Sequence, residues 1–114
     1  NNECDALYVP TDNVVAANTE IIKNNFEKPV FAGEEGIAKG CGFATLSISY
    51  YSLGQVTGEM AAEILLGQSD IEDMAIRYDS APTKKYNKAA CVAHNIDIAA
   101  LEAAGYVMIP GTEN

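Results

Sequence analysis

Three short segments hold the residues best suited to grip a small molecule: Thr11-Asp12-Asn13, Glu34-Glu35 and Ser49-Tyr50-Tyr51. Each follows a strand-like run and leads into a helical pattern. In an open α/β sheet, ligands sit beyond the carboxyl ends of the strands, where loops enter helices. Backbone N–H groups at helix starts can hold a carboxylate, and Asp12, Glu34 or Glu35 can accept bonds from an ammonium. A zwitterion suits that mixture. Each residue also has a plainer use. Asp12 is an apt N-cap, and Glu34-Glu35 suits the positive end of a helix dipole, a surface effect of roughly 0.3–1 kcal/mol. Tyr50 and Tyr51 serve equally well as packing residues with wet hydroxyls. What points to binding is the coincidence of all three at successive strand ends.

Motifs of catalysis are absent. The glycines between Gly33 and Gly42 fit neither a phosphate loop nor a dinucleotide fingerprint, because Lys39 precedes Gly40 instead of following it. There is no Gly-x-Ser-x-Gly and no His-Glu-x-x-His. A small enzyme using Cys41 or Asp12 would lack a histidine partner. His94 is the only histidine, and Cys4, Cys41 and Cys91 include no Cys-x-x-Cys, so neither a structural metal nor a cofactor is expected. The cysteines read as small, mostly buried thiols, with a Cys4–Cys41 bridge left open. His94 reads as a surface or packing residue. Glu59 and Glu63 read as a solvated helix face, and Lys84-Lys85 as a solvated turn.

The elements that must position these groups alternate. Residues 5–9 read as a buried strand ended by Pro10, followed by one helix from Thr11-Asp12-Asn13 to about residue 27. Residues 29–33 form a second strand and residues 34–40 one or two helical turns. Residues 42–49 alternate, which predicts a third strand, half buried or near an edge. The clearest helix covers 51–66, with Leu53, Val56, Met60, Ile64 and Leu65 as its apolar stripe and Gly67 as its stop. Gly54 and Gly58 imply close approach of another element. Residues 74–79 then read as a strand, 87–94 and 97–104 as short helices, and 106–109 as a last strand. Such alternation predicts an α/β fold with a mostly parallel, helix-flanked sheet.

Composition narrows the function classes. Asp plus Glu number 16 against 7 Lys plus Arg, for a formal net charge of -9, and no basic cluster invites nucleic acid. No run approaches the roughly 20 apolar residues of a membrane span. The chain opens on Asn1-Asn2-Glu3, which suggests a mature or excised segment, so a missing signal sequence does not locate the parent protein.

Several blocks also carry a resemblance. Asp5-Ala-Leu-Tyr-Val-Pro-Thr-Asp-Asn13, Pro29-Val-Phe-Ala-Gly-Glu-Glu-Gly36, Ala44-Thr-Leu-Ser-Ile-Ser-Tyr-Tyr51 and Leu53-Gly54…Thr57-Gly58…Met60-Ala-Ala…Ile64-Leu65…Gly67 follow in order. Over residues 4–95 the chain resembles ABC-importer substrate-binding proteins of the tryptophan/tyrosine-binding kind, with the type I periplasmic-binding-protein fold. The resemblance implies part of a three-layer α/β protein whose two lobes close on a small solute and then dock on a membrane permease. It implies no catalytic residues and an extracytoplasmic setting, periplasmic or as a surface lipoprotein. Carried over by position, the ligand-binding residues are Thr11, Asp12, Asn13, Glu34, Glu35, Ser49, Tyr50 and Tyr51, for an amino acid, aromatic by preference. Many relatives carry an acidic residue where this chain has Ser49, a departure that bears on how a ligand amino group is held.

The resemblance further implies that residues 1–114 form a C-terminal portion of such a protein. Residues 5–48 belong to the C-terminal lobe, the helix 51–67 to the other lobe, and 74–109 to a return segment and tail. The tail from Ile96 onward extends past the usual family end. A segment holding one helix of an absent lobe is expected to self-associate or to fold that helix back on its sheet. The competing reading is the effector-binding core of a lactose-repressor-like regulator, which a basic helix-turn-helix would precede.

Overall fold

Short apolar strands punctuated by capped helices organise this chain, whose computed structural model describes residues 3–79 and 81–113. The chain divides into two compact units, one made of residues up to 47 together with those from 83 onward, the other of residues 48–82. In the first unit, β1 (Leu7–Val9), β2 (Val30–Ala32) and β3 (Ala44–Ser47) lie parallel and adjacent. β4 (Thr83–Tyr86) runs antiparallel beside β3, and β5 (Val107–Met108) is parallel to β4. Among the described residues this gives a five-stranded mixed sheet in the order β1-β2-β3-β4-β5. Helices α1 (Asn13–Ala16) and α2 (Thr19–Asn25) follow β1, and α3 (Glu35–Gly40) follows β2. The second unit holds α4 (Tyr50–Leu65), while α5 (Lys88–Ala93) and α6 (Ile98–Ala103) join β4 to β5.

Two cores form, one on each face of the sheet. Val9, Val30, Ala32, Ile37, Ala38 and Ile109 make the first, with Val15, Ile22 and Phe26 of the leading helices packed on it. Phe43, Ala44, Tyr86 and Cys91 make the second, with Ile98, Leu101 and Met108 against it. Side chains alternate across a strand, so register partners share a face. Val9 and Ala32 are partners in the first core, and Ala44, Tyr86 and Met108 are partners in the second. Helices therefore cover both faces, in the three-layer arrangement expected.

Several expectations need correction. The single helix after Pro10 is two helices, because Asn18 interrupts it. The Asn18 side chain donates to the Val14 carbonyl at 2.7 Å, diverting a group that a continuous helix would use. β3 is central, with partners on both sides. Its Thr45 and Ser47 are buried while Leu46 is 58% exposed, the reverse of a simple apolar-in pattern. Residues 74–79 form no strand. Ile76 and Tyr78 stay exposed, and the Asp79 carboxylate instead accepts from the Ser49 and Ala81 N–H groups at 2.7 and 3.1 Å.

The missing strand is β4, built around the Lys84-Lys85 pair expected in a turn. Each ammonium finds a partner: Lys84 donates to the Ala104 carbonyl at 3.0 Å, and Lys85 to Glu35 at 2.5 Å. Glu63 is likewise not merely solvated, since it pairs with Arg77 at 2.6 Å, a bond that holds its carboxyl below the usual range. Gly54 and Gly58 meet no close neighbour: a Cβ on either would have nothing within 4 Å. Finally, the three thiols are all free, and only Cys91 is fully buried; Cys41 is half-buried and Cys4 exposed.

One bond in the second core leads to a pH prediction. The buried Tyr86 hydroxyl donates to Glu102 Oε1 at 2.6 Å, and that bond, aided by burial, pushes the phenol from its ordinary value near 10 up to about 12. The neutral phenol is the form the folded state favours, so its contribution is intact below pH 10 and disappears as pH rises through 12. Denaturant unfolding between pH 10 and 12 is expected to show a declining midpoint. The Tyr86→Phe protein should lack that component of the decline; an identical pH slope in both proteins would contradict it.

Candidate functional site

The first two segments converge because β1 and β2 are parallel and in register, so their carboxyl ends, Val9 and Ala32, lie side by side. The Gly33 N–H donates to the Val9 carbonyl at 2.7 Å, and the Thr11 hydroxyl donates to the Gly33 carbonyl at 3.2 Å. The turn bearing Thr11, Asp12 and Asn13 is thereby bonded to the turn that precedes Glu34 and Glu35.

Both turns end in caps. Asp12 accepts from the Val15 N–H at 2.8 Å and starts α1, with Asn13 as its first residue. Glu34 folds its longer side chain back on α3, accepting from the N–H groups of Gly36, at 2.9 Å, and of Ile37. Gly36 leaves room for this, since a Cβ there would lie 3.0 Å from a Glu34 carboxylate oxygen. Three helix-start N–H groups, those of Val15, Gly36 and Ile37, are thus held by the chain's own carboxylates. The remaining character of this rim is acidic, tempered by Lys85 on Glu35, and it is better matched to an ammonium than to an anion.

The third segment belongs to the second unit. Ser49 caps α4 by accepting from the Ser52 N–H at 3.2 Å. Tyr50 and Tyr51 open the helix with 67% and 77% exposure, so neither ring serves as core packing. Asp79, bonded to the Ser49 N–H, places a carboxylate beside this turn.

Sequence reasoning missed two of these groups. Lys85 was hidden because two adjacent lysines resemble a turn, and only the four-residue register with β3 reveals the strand. Asp79 lies 30 residues from its partner, and no local spacing announces that contact.

Comparison with known proteins completes the picture. The family described as ABC transporter substrate binding protein matches residues 1–103, further than the sequence blocks alone suggested and through α6. A tyrosine-binding protein of Clostridioides difficile is 40% identical over 68 residues, 57% of this chain and 20% of that protein. The ligand-free, open structure of a Clostridium difficile substrate-binding protein with adhesive properties superposes with a TM-score of 0.72 at 33% identity, covering 94% of this chain and 37% of that one. A Streptococcus pneumonia ABC domain in complex with L-Trp gives a TM-score of 0.74 at 26% identity, with the same 94% and 37% coverage. This chain thus spans well under half the length of the relatives it matches. On the family match and the shared fold, the chain belongs to the ABC transporter substrate-binding protein family.

Proposed function

We propose that this chain is part of the extracytoplasmic solute-binding component of an ABC importer, and that its solute is an amino acid, preferably aromatic. The observation that carries this reading is the bonded pair of turns, Thr11–Asn13 and Glu34–Glu35, at the carboxyl ends of parallel strands. Its acidic side chains suit a ligand ammonium; in the second unit, taken by itself, the exposed rings of Tyr50 and Tyr51 are flat apolar surfaces of the kind aromatic groups stack on. The L-Trp bound by one relative and the name of the tyrosine-binding relative support the solute class.

In this reading residues 5–48 contribute one wall of the cleft, and the helix 51–67 packs in the other lobe. Residues 74–109 form the return segment and tail. Ser49, Tyr50 and Tyr51 lie near the crossing between lobes. The loaded protein docks on a membrane permease, performs no catalysis and works outside the cytoplasm.

Isothermal titration with L-Tyr and L-Trp tests the proposal. A longer polypeptide containing these residues and a second lobe is expected to bind at least one of them, and Glu35→Gln to weaken that binding. The 114-residue chain alone is expected to give no heat, because the opposite wall is absent. Micromolar affinity in the short chain, or no amino-acid binding in the longer one, overturns the reading.

A further inference from the structure

At the opposite end of β2 from these turns lies a cavity of about 580 Å³, within the first unit. Lys23, Lys28, Lys39 and His94 line it, with Glu27 as the acidic group of the lining and Cys41 alongside. Three of the chain's seven cationic side chains thus surround one cavity in a protein of net charge -9. Their setting is structural in part. Lys23 and Lys39 occupy the last turns of α2 and α3, where the helix dipole favours a cation. That accounts for two lysines but not for both helices ending at the same cavity, nor for Lys28 in the loop between α2 and β2.

Other features favour an anion there. The ion pairs Arg77–Glu63 and Lys85–Glu35 involve other cations and lie away from the cavity lining. Gly111, at φ +81°, lets the Lys39 ammonium lie over the backbone: a Cβ at that position would stand 3.2 Å from Lys39 Nζ. The chain's own Glu113, whose carboxylate accepts from the Gly111 N–H at 3.1 Å, is held below the usual range by backbone hydrogen bonds and by nearby Lys39 and Lys88. An acidic group is therefore already drawn to this edge of the cavity.

We infer that this cavity binds a compact, multiply charged oxyanion of the phosphate class, at a site separate from the solute turns. Ammonium groups hold phosphate as point charges, without the planar bidentate fork of a guanidinium. Titration of the 15N-labelled protein with pyrophosphate, followed by NMR, tests it. Saturable shifts are expected in the amides of Lys39–Cys41 and Gly111–Thr112, with those of Tyr50 and Tyr51 unmoved. The Lys23→Gln/Lys39→Gln protein should bind pyrophosphate about tenfold or more weakly, while the Lys23→Arg/Lys39→Arg protein retains it. Acetate, with one charge, should produce no saturable shift. Non-saturating shifts, shifts spread equally over Lys84, Lys85 and Arg77, or a double variant that binds as well as the parent would make these lysines helix-end charges only. Amino-acid binding is read at different residues, so either proposal can fail without the other.

Discussion

Replacing Ile37 by alanine is expected to lower the unfolding free energy by about 2–5 kcal/mol, the range for deleting a fully enclosed aliphatic side chain. Ile37 has 0% exposure and packs among Val9, Val30, Ala32 and Ile109, so its loss leaves a void bordered by two strands and the segment after β5. Short elements surround it on every side, and a three-residue strand has little freedom to collapse inward. Ile37 also sits in the first turn of α3, and its own N–H is one of the two held by Glu34. Truncation should therefore loosen the cap that fixes Glu34 and Glu35. Denaturant unfolding measures the first effect, and the amide shift of Ile37 the second. The control is Leu46→Ala, which removes a comparable side chain at 58% exposure. It should change stability by no more than about 0.5 kcal/mol. Equal losses in the two variants would mean that the first core does not stabilise this fold.

Particular residues show why some of the architecture was readable in advance and some was not. The strands 30–32 and 44–47 and the helix from 50 to 65 were legible because each is bounded by a residue that imposes its own geometry. Pro10 and Pro29 flank the first helical segment, Ser49 caps α4, and Gly67, at φ +67°, ends it. The family was legible for a related reason: three of its four blocks run through strand ends, where turn geometry narrows the choice of residues. What failed was whatever depends on a distant partner. Residues 74–79 have strand composition but no ladder to join, whereas the lysines of β4 join one because β3 offers a free edge. The rim was legible as a set of carboxylates but not in their occupation. Whether Asp12 and Glu34 face a ligand or their own helix depends on backbone N–H positions that no spacing specifies.

Gly33 joins the fold to the site, and substituting it should disturb both. Its N–H donates to the Val9 carbonyl and its carbonyl accepts from the Thr11 hydroxyl, so this one residue ties the turn after β1 to the turn after β2. A Cβ at Gly33 would stand 2.7 Å from the Thr11 nitrogen and 3.0 Å from the Pro10 carbonyl carbon. Both are backbone atoms next to a proline whose φ is fixed, so neither can rotate aside. Gly33→Ala is expected to cost about 1–3 kcal/mol, as overpacking does, and Gly33→Val more. Gly36→Ala meets only the flexible end of Glu34, at 3.0 and 3.2 Å, and should cost no more than that cap, about 0.5–2 kcal/mol. Gly54→Ala, with open space around it in α4, should instead stabilise its helix by about 0.5–1 kcal/mol. In a solute-binding longer polypeptide, Gly33→Ala should weaken amino-acid affinity through the displaced Thr11–Asn13 turn. Parallel unfolding and titration of the three variants would separate a glycine required by close approach from one that merely tolerates its place. Equal affinity in Gly33→Ala and the parent would remove Thr11–Asn13 from the solute site.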